Sequence, residues 1–401
     1  MWSASMVSCV FFTIIIVITP ASAQRAVTRV KQVAEFTGPS NDIGEFGYSV
    51  AINGNLAVVG APFANYAYLY IKGQAGWSQA ARFDDGTNMN GFGWATAASS
   101  NVIAVGNPQL RNGGGTVFVF VKPEGGWVSM PATAQLTVPG MQMGLGGSLA
   151  ISPDGKTIVA GAPAANGMQG ETCVFVEPAG GWINVTEATA TLTASSSVVS
   201  GNSVAMSGNT IVVGNDDPNL GSEVYIFVKP TDGWVSTSQP NAVLTASDET
   251  QSDNFGYSVA IDGNTVVVGA PLHPNVGAGT AYVFVKPSGG WQNMTQTAEL
   301  SINVNHPIGL GVSVAVEGNV ILAGAPDDAI GHNNQQGAVF GYIEPAGGWQ
   351  NTTTTNGSVT AQNGQAKELF GSRLALSGKT FIVGAPDYNG LVGAAYIFQA
   401  Q

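Results

Sequence analysis

A repeat of about 55 residues constrains the fold of this chain more than any other feature of its sequence. A Phe-Gly-like pair recurs at Phe46, Phe92, Leu145, Ser200, Phe255, Leu310 and Phe370, at spacings of 46, 53, 55, 55, 55 and 60 residues. Self-similarity at such a period is the mark of repeat architectures, each copy being one supersecondary unit. The copy that begins at Phe255 contains four short runs: Tyr257 to Ile261, Thr265 to Pro271, Ala281 to Lys286 and Ala298 to Ser301. Val, Ile, Tyr, Phe and Thr dominate these runs, and Gly, Asn, Asp and Pro bound them, so they read as strands joined by hairpins. No window carries a helical period of comparable quality. Four-stranded units repeated radially predict an all-β, seven-bladed β-propeller of antiparallel blades.

Two details favour a closed ring over a linear stack. Ala occupies one position of the first strand in all seven copies: Ala51, Ala97, Ala150, Ala205, Ala260, Ala315 and Ala375. Two residues earlier stand Ser49, Ala95, Ser148, Ser203, Ser258, Ser313 and Arg373. Alternate residues share one face of a strand, and strands crowded near an axis need small side chains on that face. The seventh copy also stops short of a fourth strand, while Ala34 to Thr37 match the fourth-strand segment Ala298 to Ser301. The N-terminal segment is therefore expected to complete the last blade and remove two exposed sheet edges.

Residues 1–23 carry no Lys or Arg, run apolar from Val10 to Ile18, and end in Pro20 and the small residues Ala21, Ser22 and Ala23. They read as a secretory signal peptide, leaving residues 24–401 as a single propeller domain of a secreted, extracellular, periplasmic or cell-surface protein. The apolar run is shorter than a membrane span requires. Of the two cysteines, Cys9 and Cys173, cleavage leaves one, so no internal disulfide is expected. Charged residues make up 9% of the chain and its net charge is −12. Without clustered Lys and Arg, nucleic acid is excluded as a partner.

The pairs headed by Phe46, Phe255 and Phe370, together with Gly-Ala-Pro runs such as Gly269 to Pro271, resemble the FG-GAP repeats of integrin α-subunits over nearly the whole length after residue 23. Blades two and four depart from the pattern, with Gly106-Asn-Pro108 and Gly214-Asn-Asp216. The resemblance implies an extracellular adhesion or ligand-binding module, with a protein or carbohydrate partner. In that family calcium is held by an Asp-rich loop between the two motifs. Calcium needs six to eight oxygens, and the turn here is a bare Asp262-Gly263-Asn264. No metal and no cofactor is expected, calcium sites of that type being absent.

Among candidate functional residues, Trp77, Trp127, Trp182, Trp234, Trp291 and Trp349 recur after near-identical Gly-rich turns. They could stack on sugars, but their regularity favours a structural role. The loops joining strands two to three and four to one vary, and a variable rim on a rigid scaffold is where recognition concentrates. Asp216, Asp217, Asp327, Asp328, His332 and Asp387 are the rim residues expected to meet a ligand. His332 with Asp327 and Asp328 is the best catalytic or metal trio, yet no motif of an enzyme appears and no catalytic residue is assigned. The alternatives are a carbohydrate-active enzyme using rim carboxylates, or a structural propeller of an envelope. Arg373, breaking the Ser/Ala series near the axis, is expected to pair with Glu368 or another blade's carboxylate, the alternative being an anion in the channel. Asn184, Asn293, Asn351 and Asn356 lie in sequons that a eukaryotic secretory pathway would glycosylate.

Overall fold

The computed structural model describes residues 29–39, 43–87, 91–109, 114–139, 144–165, 169–194, 201–215, 222–248, 250, 252–273, 278–304 and 306–401. The segment 1–23 lies outside them. The described strands form seven sheets, six of four strands and one of five. Blade five is representative, with strands Ser258–Asp262, Thr265–Ala270, Thr280–Val285 and Ala298–Leu300, all paired antiparallel. The innermost strands pack neighbour on neighbour around a full circle, Ser49–Asn53 of blade one meeting Arg373–Ser377 of blade seven.

The ring closes as expected. Val30–Thr37 pairs antiparallel with Ala394–Ala400, with Glu35 opposite Tyr396 and Thr37 opposite Ala394. This N-terminal strand is the fourth of blade seven and runs four residues further back than the sequence match suggested.

The physical meaning of the repeated motifs lies between blades. The Gly of each Gly-Ala-Pro position stands so close to the next blade that a Cβ on Gly269 would overlap the Gly311 carbonyl oxygen, and one on Gly60 the Gly93 carbonyl oxygen. The same carbonyls accept hydrogen bonds from first-strand serines: Ser49 Oγ to Gly93 O at 2.8 Å, Ser148 to Gly201 at 2.7 Å, Ser203 to Gly256 and Ser258 to Gly311 at 2.8 Å, and Ser313 to Gly371 at 2.6 Å. Small residues line the axis both because space is short and because, in five of the seven blades, serine ties the blade to the next.

Seven apolar clusters fill the seams between adjacent blades. Six contain a recurrent tryptophan, which enters from its own blade against the preceding one: Trp77, Trp127, Trp182, Trp234, Trp291 and Trp349. The chain just after these turns then lies along the outer strand of the preceding blade. Short parallel pairings join Leu136 with Val185, Leu192 with Thr237, Leu244 with Met294 and Leu300 with Thr352. Asn184, Asn293 and Asn351 accept the outer-strand N–H groups of Gln135, Val243 and Glu299 through Oδ1 at 2.8, 2.9 and 2.9 Å. Each latch covers an edge that would otherwise offer unpaired backbone groups.

The seam between blades six and seven differs. Its fourth strand on blade seven comes from the N-terminal segment, which brings no Gly-Gly-Trp turn, and its cluster holds no tryptophan. A cleft of about 280 Å³ remains there, lined by Val30, Leu322, Val339, Gly341, Val359 and Phe381 among others. No described helix is long and apolar enough to cross a membrane.

Candidate functional site: the loop rim and the axial mouth

The loops that join strands two to three and four to one meet on one rim, around the mouth of the propeller axis. A cavity of about 550 Å³ opens there. Its wall includes the residue that follows six of the seven Phe-Gly-like pairs, and these differ among blades: Tyr48, Trp94, Gly147, Asn202, Tyr257 and Val312. Because that residue immediately precedes the innermost strand, the blade geometry fixes it at the mouth while leaving its identity free. Tyr48 and Trp94 pack with ring centroids 4.7 Å apart, and Phe63 approaches Tyr48 from the loop side at 6.3 Å. Phe63 is 43% exposed. The result is a half-open aromatic cup.

Arg373 lines the same cavity. It does not pair with Glu368. Its Nη1 donates to the Ser372 carbonyl at 2.8 Å, and its guanidinium lies 5.3 Å from the centre of the Tyr48 ring. The innermost strand directs position 373 to the axis, whereas Glu368 is buried in the loop before it, so the two face different surroundings. Arg373 is a cation at the mouth of a molecule of net charge −12, and with the aromatic rings it suits a ligand that offers an apolar or sugar face and a carboxylate or other acceptor.

Of the rim residues singled out from sequence, Asp216 and Asp217 lie outside the described residues. Asp327 accepts a hydrogen bond from Gln335 Nε2 at 2.8 Å. The expected trio with His332 is not assembled: the histidine within ion-pair reach of Asp328 is His306, at 3.9 Å, while His332 stands exposed on a turn. The loop from Pro326 folds back through a pairing of Ile330 with Asn333, and this carries His332 to the tip. Burial raises the pKa of Asp328, with the His306 charge opposing. Asp387 is also raised by burial, and Glu45 by burial and by the Asp387 charge, which marks these two carboxylates as neighbours where blade seven meets blade one. Other rim acids hold loops together. Asp85 accepts from Asn65 Nδ2 at 2.7 Å and from Asn107 Nδ2 at 2.8 Å.

The recurrent tryptophans sit away from this mouth. Trp182, Trp234, Trp291 and Trp349 are buried, and Trp77 and Trp127 are half-buried, all within the seams. Cys173 is wholly buried and its thiol is pushed up to about 12 by burial, which leaves it unreactive. Sequence reasoning missed Tyr48, Trp94 and Tyr257. The signal was present in the varied residue after each Phe-Gly pair. His273, in the loop after Pro271, is buried.

The FG-GAP repeat family matches residues 240–284 and 354–398. Each matched stretch begins at the fourth strand of one blade and ends in the third strand of the next, so the family's unit spans a seam. With seven blades that repeat the same inter-blade glycine contacts, the chain is an FG-GAP repeat β-propeller. Comparison with curated proteins finds none that matches it.

Proposed function

We propose that this propeller is a non-catalytic recognition or adhesion module that works outside the cell and grips a protein or glycan on its variable loop rim. The observation that carries the reading is the aromatic cup with Arg373 at the axial mouth, opening among the most varied loops of an otherwise regular ring. Propellers serve many functions, so the fold does not decide among them; the cup and its chemistry are what support this reading. The leader-like residues 1–23 and the FG-GAP resemblance support an extracellular setting. No cofactor is part of this reading.

Arrays of glycans and of extracellular proteins test it, with the whole chain and two variants as probes. Trp94→Ala with Tyr257→Ala is expected to weaken binding by roughly tenfold or more, since each central interface aromatic contributes upwards of about 1 kcal/mol. Asp327→Ala with Asp328→Ala is expected to change salt dependence more than affinity. A ligand held equally well by both variants, with the melting curve unchanged, would place recognition elsewhere.

A further inference from the structure

Blade five gathers, on the same rim, a set of side chains that the axial cup does not use. His273 follows Pro271 by two residues and is 1% exposed. Its Nδ1 lies 2.6 Å from Asp253 Oδ2. Asp253, also 1% exposed, accepts from the Thr250 backbone N–H at 3.0 Å and from the Thr250 hydroxyl. Nδ1 is thereby engaged by Asp253. The other ring nitrogen, Nε2, is buried without a hydrogen-bond partner. It faces Asp248, whose Oδ2 is 3.6 Å away, and Glu299 on the outer strand. One ligand atom from each of Asp248, His273 and Glu299 lies within 4.8 Å of the others. Tyr282 donates to Asp248 Oδ1 at 3.1 Å, fixing that carboxylate.

We propose that Asp248, His273 Nε2 and Glu299 form a binding site for one divalent transition-metal cation, zinc foremost, with Asp253 as the residue that positions the imidazole. A buried, unpaired imidazole nitrogen pointing between two carboxylates is the donor arrangement such a cation takes. A carboxylate bonded to the far nitrogen is the usual support of a metal-bound histidine. One nitrogen and two carboxylates suit zinc better than calcium, which takes six to eight oxygens. Blade seven repeats the arrangement with Asn363, Glu368, Tyr388, Tyr396 and Glu35 at the matching positions. It lacks the imidazole, so one ion per chain is expected.

The test is zinc uptake by the whole chain without an affinity tag, stripped with chelator, reloaded by dialysis and analysed by elemental mass spectrometry and titration calorimetry. Wild-type protein is expected to hold one zinc that a large excess of calcium does not displace. His273→Ala should hold none, Glu299→Gln should bind at least about tenfold more weakly, and Asp253→Asn about 10- to 100-fold more weakly. Cobalt loading adds a spectroscopic check, because its visible bands report nitrogen ligation and should vanish in His273→Ala. Should that variant misfold by circular dichroism, the half-buried Glu299 variant and the wild-type cobalt spectrum decide. No zinc in the wild type, or uptake unchanged in Glu299→Gln and His273→Ala, overturns the proposal and leaves His273 as a structural residue held between two aspartates.

Discussion

Glu368 illustrates how one side chain ties this fold to pH. It sits two residues before Phe370, 1% exposed, and burial pushes its pKa up to about 7 from 4.5. The folded state therefore holds this proton over a range in which the unfolded chain has lost it. Stability contributed by the neutral acid is complete below about pH 4.5 and declines as pH rises towards 7, then levels off. The shift corresponds to about 3 kcal/mol. Glu368→Gln is expected to match the wild type in urea unfolding at pH 4.5 and to exceed it by about 2–3 kcal/mol at pH 8. An equal difference at both pH values would contradict the assignment. At this scale the sequence was least legible. The serines of the first strands were readable as small residues but not as hydrogen-bond donors. Asp248, Asp253, His273 and Glu299 come together from three separate segments, and nothing in their spacing predicts that meeting. The rim trio with His332 failed for the same reason, since a loop's backbone path, not sequence adjacency, decides which side chains converge.

At the scale of strands and turns, periodicity and turn chemistry were strong enough to fix nearly everything within a blade. Asp262-Gly263-Asn264 forms the expected hairpin turn, with Gly263 at φ 54°, a conformation glycine adopts at little cost. The latches were not legible, because the segments after each Gly-Gly-Trp turn are polar and irregular and gain order only against a neighbouring blade. Six seams have a tryptophan wedge, and the seam between blades six and seven has a cleft instead. There Gly341 lies in mid-strand opposite Leu322, where blade five has Val283 opposite Val267. A Cβ at Gly341 would meet Leu322 Cδ2 at 3.6 Å, an ordinary contact. Gly341→Ala is expected to stabilise the protein by about 0.5–1 kcal/mol, partly by restricting the unfolded chain. Denaturant titration reads this directly, and a loss of stability would show that the cleft cannot accept the methyl group.

Across the whole molecule, the ring is a chain of seven similar seams: every blade sets a glycine against the next, five blades add a serine hydrogen bond, and six seams hold a tryptophan. Such a structure tolerates variation at the axial mouth and in the outer loops because neither carries the seams, which is why one rim is free to specialise. Closure depends on the pairing of Val30–Thr37 with Ala394–Ala400, and the rim proposed to bind depends on closure. Thermal unfolding and hydrogen exchange of a chain lacking Gln24 to Thr37 test this most directly. The account predicts a sharply lower melting temperature, with protection lost first in Ala394–Ala400 and in the seams on either side of blade seven. An unchanged melting curve, or full protection of that strand, would contradict a ring closed by its own N-terminal segment.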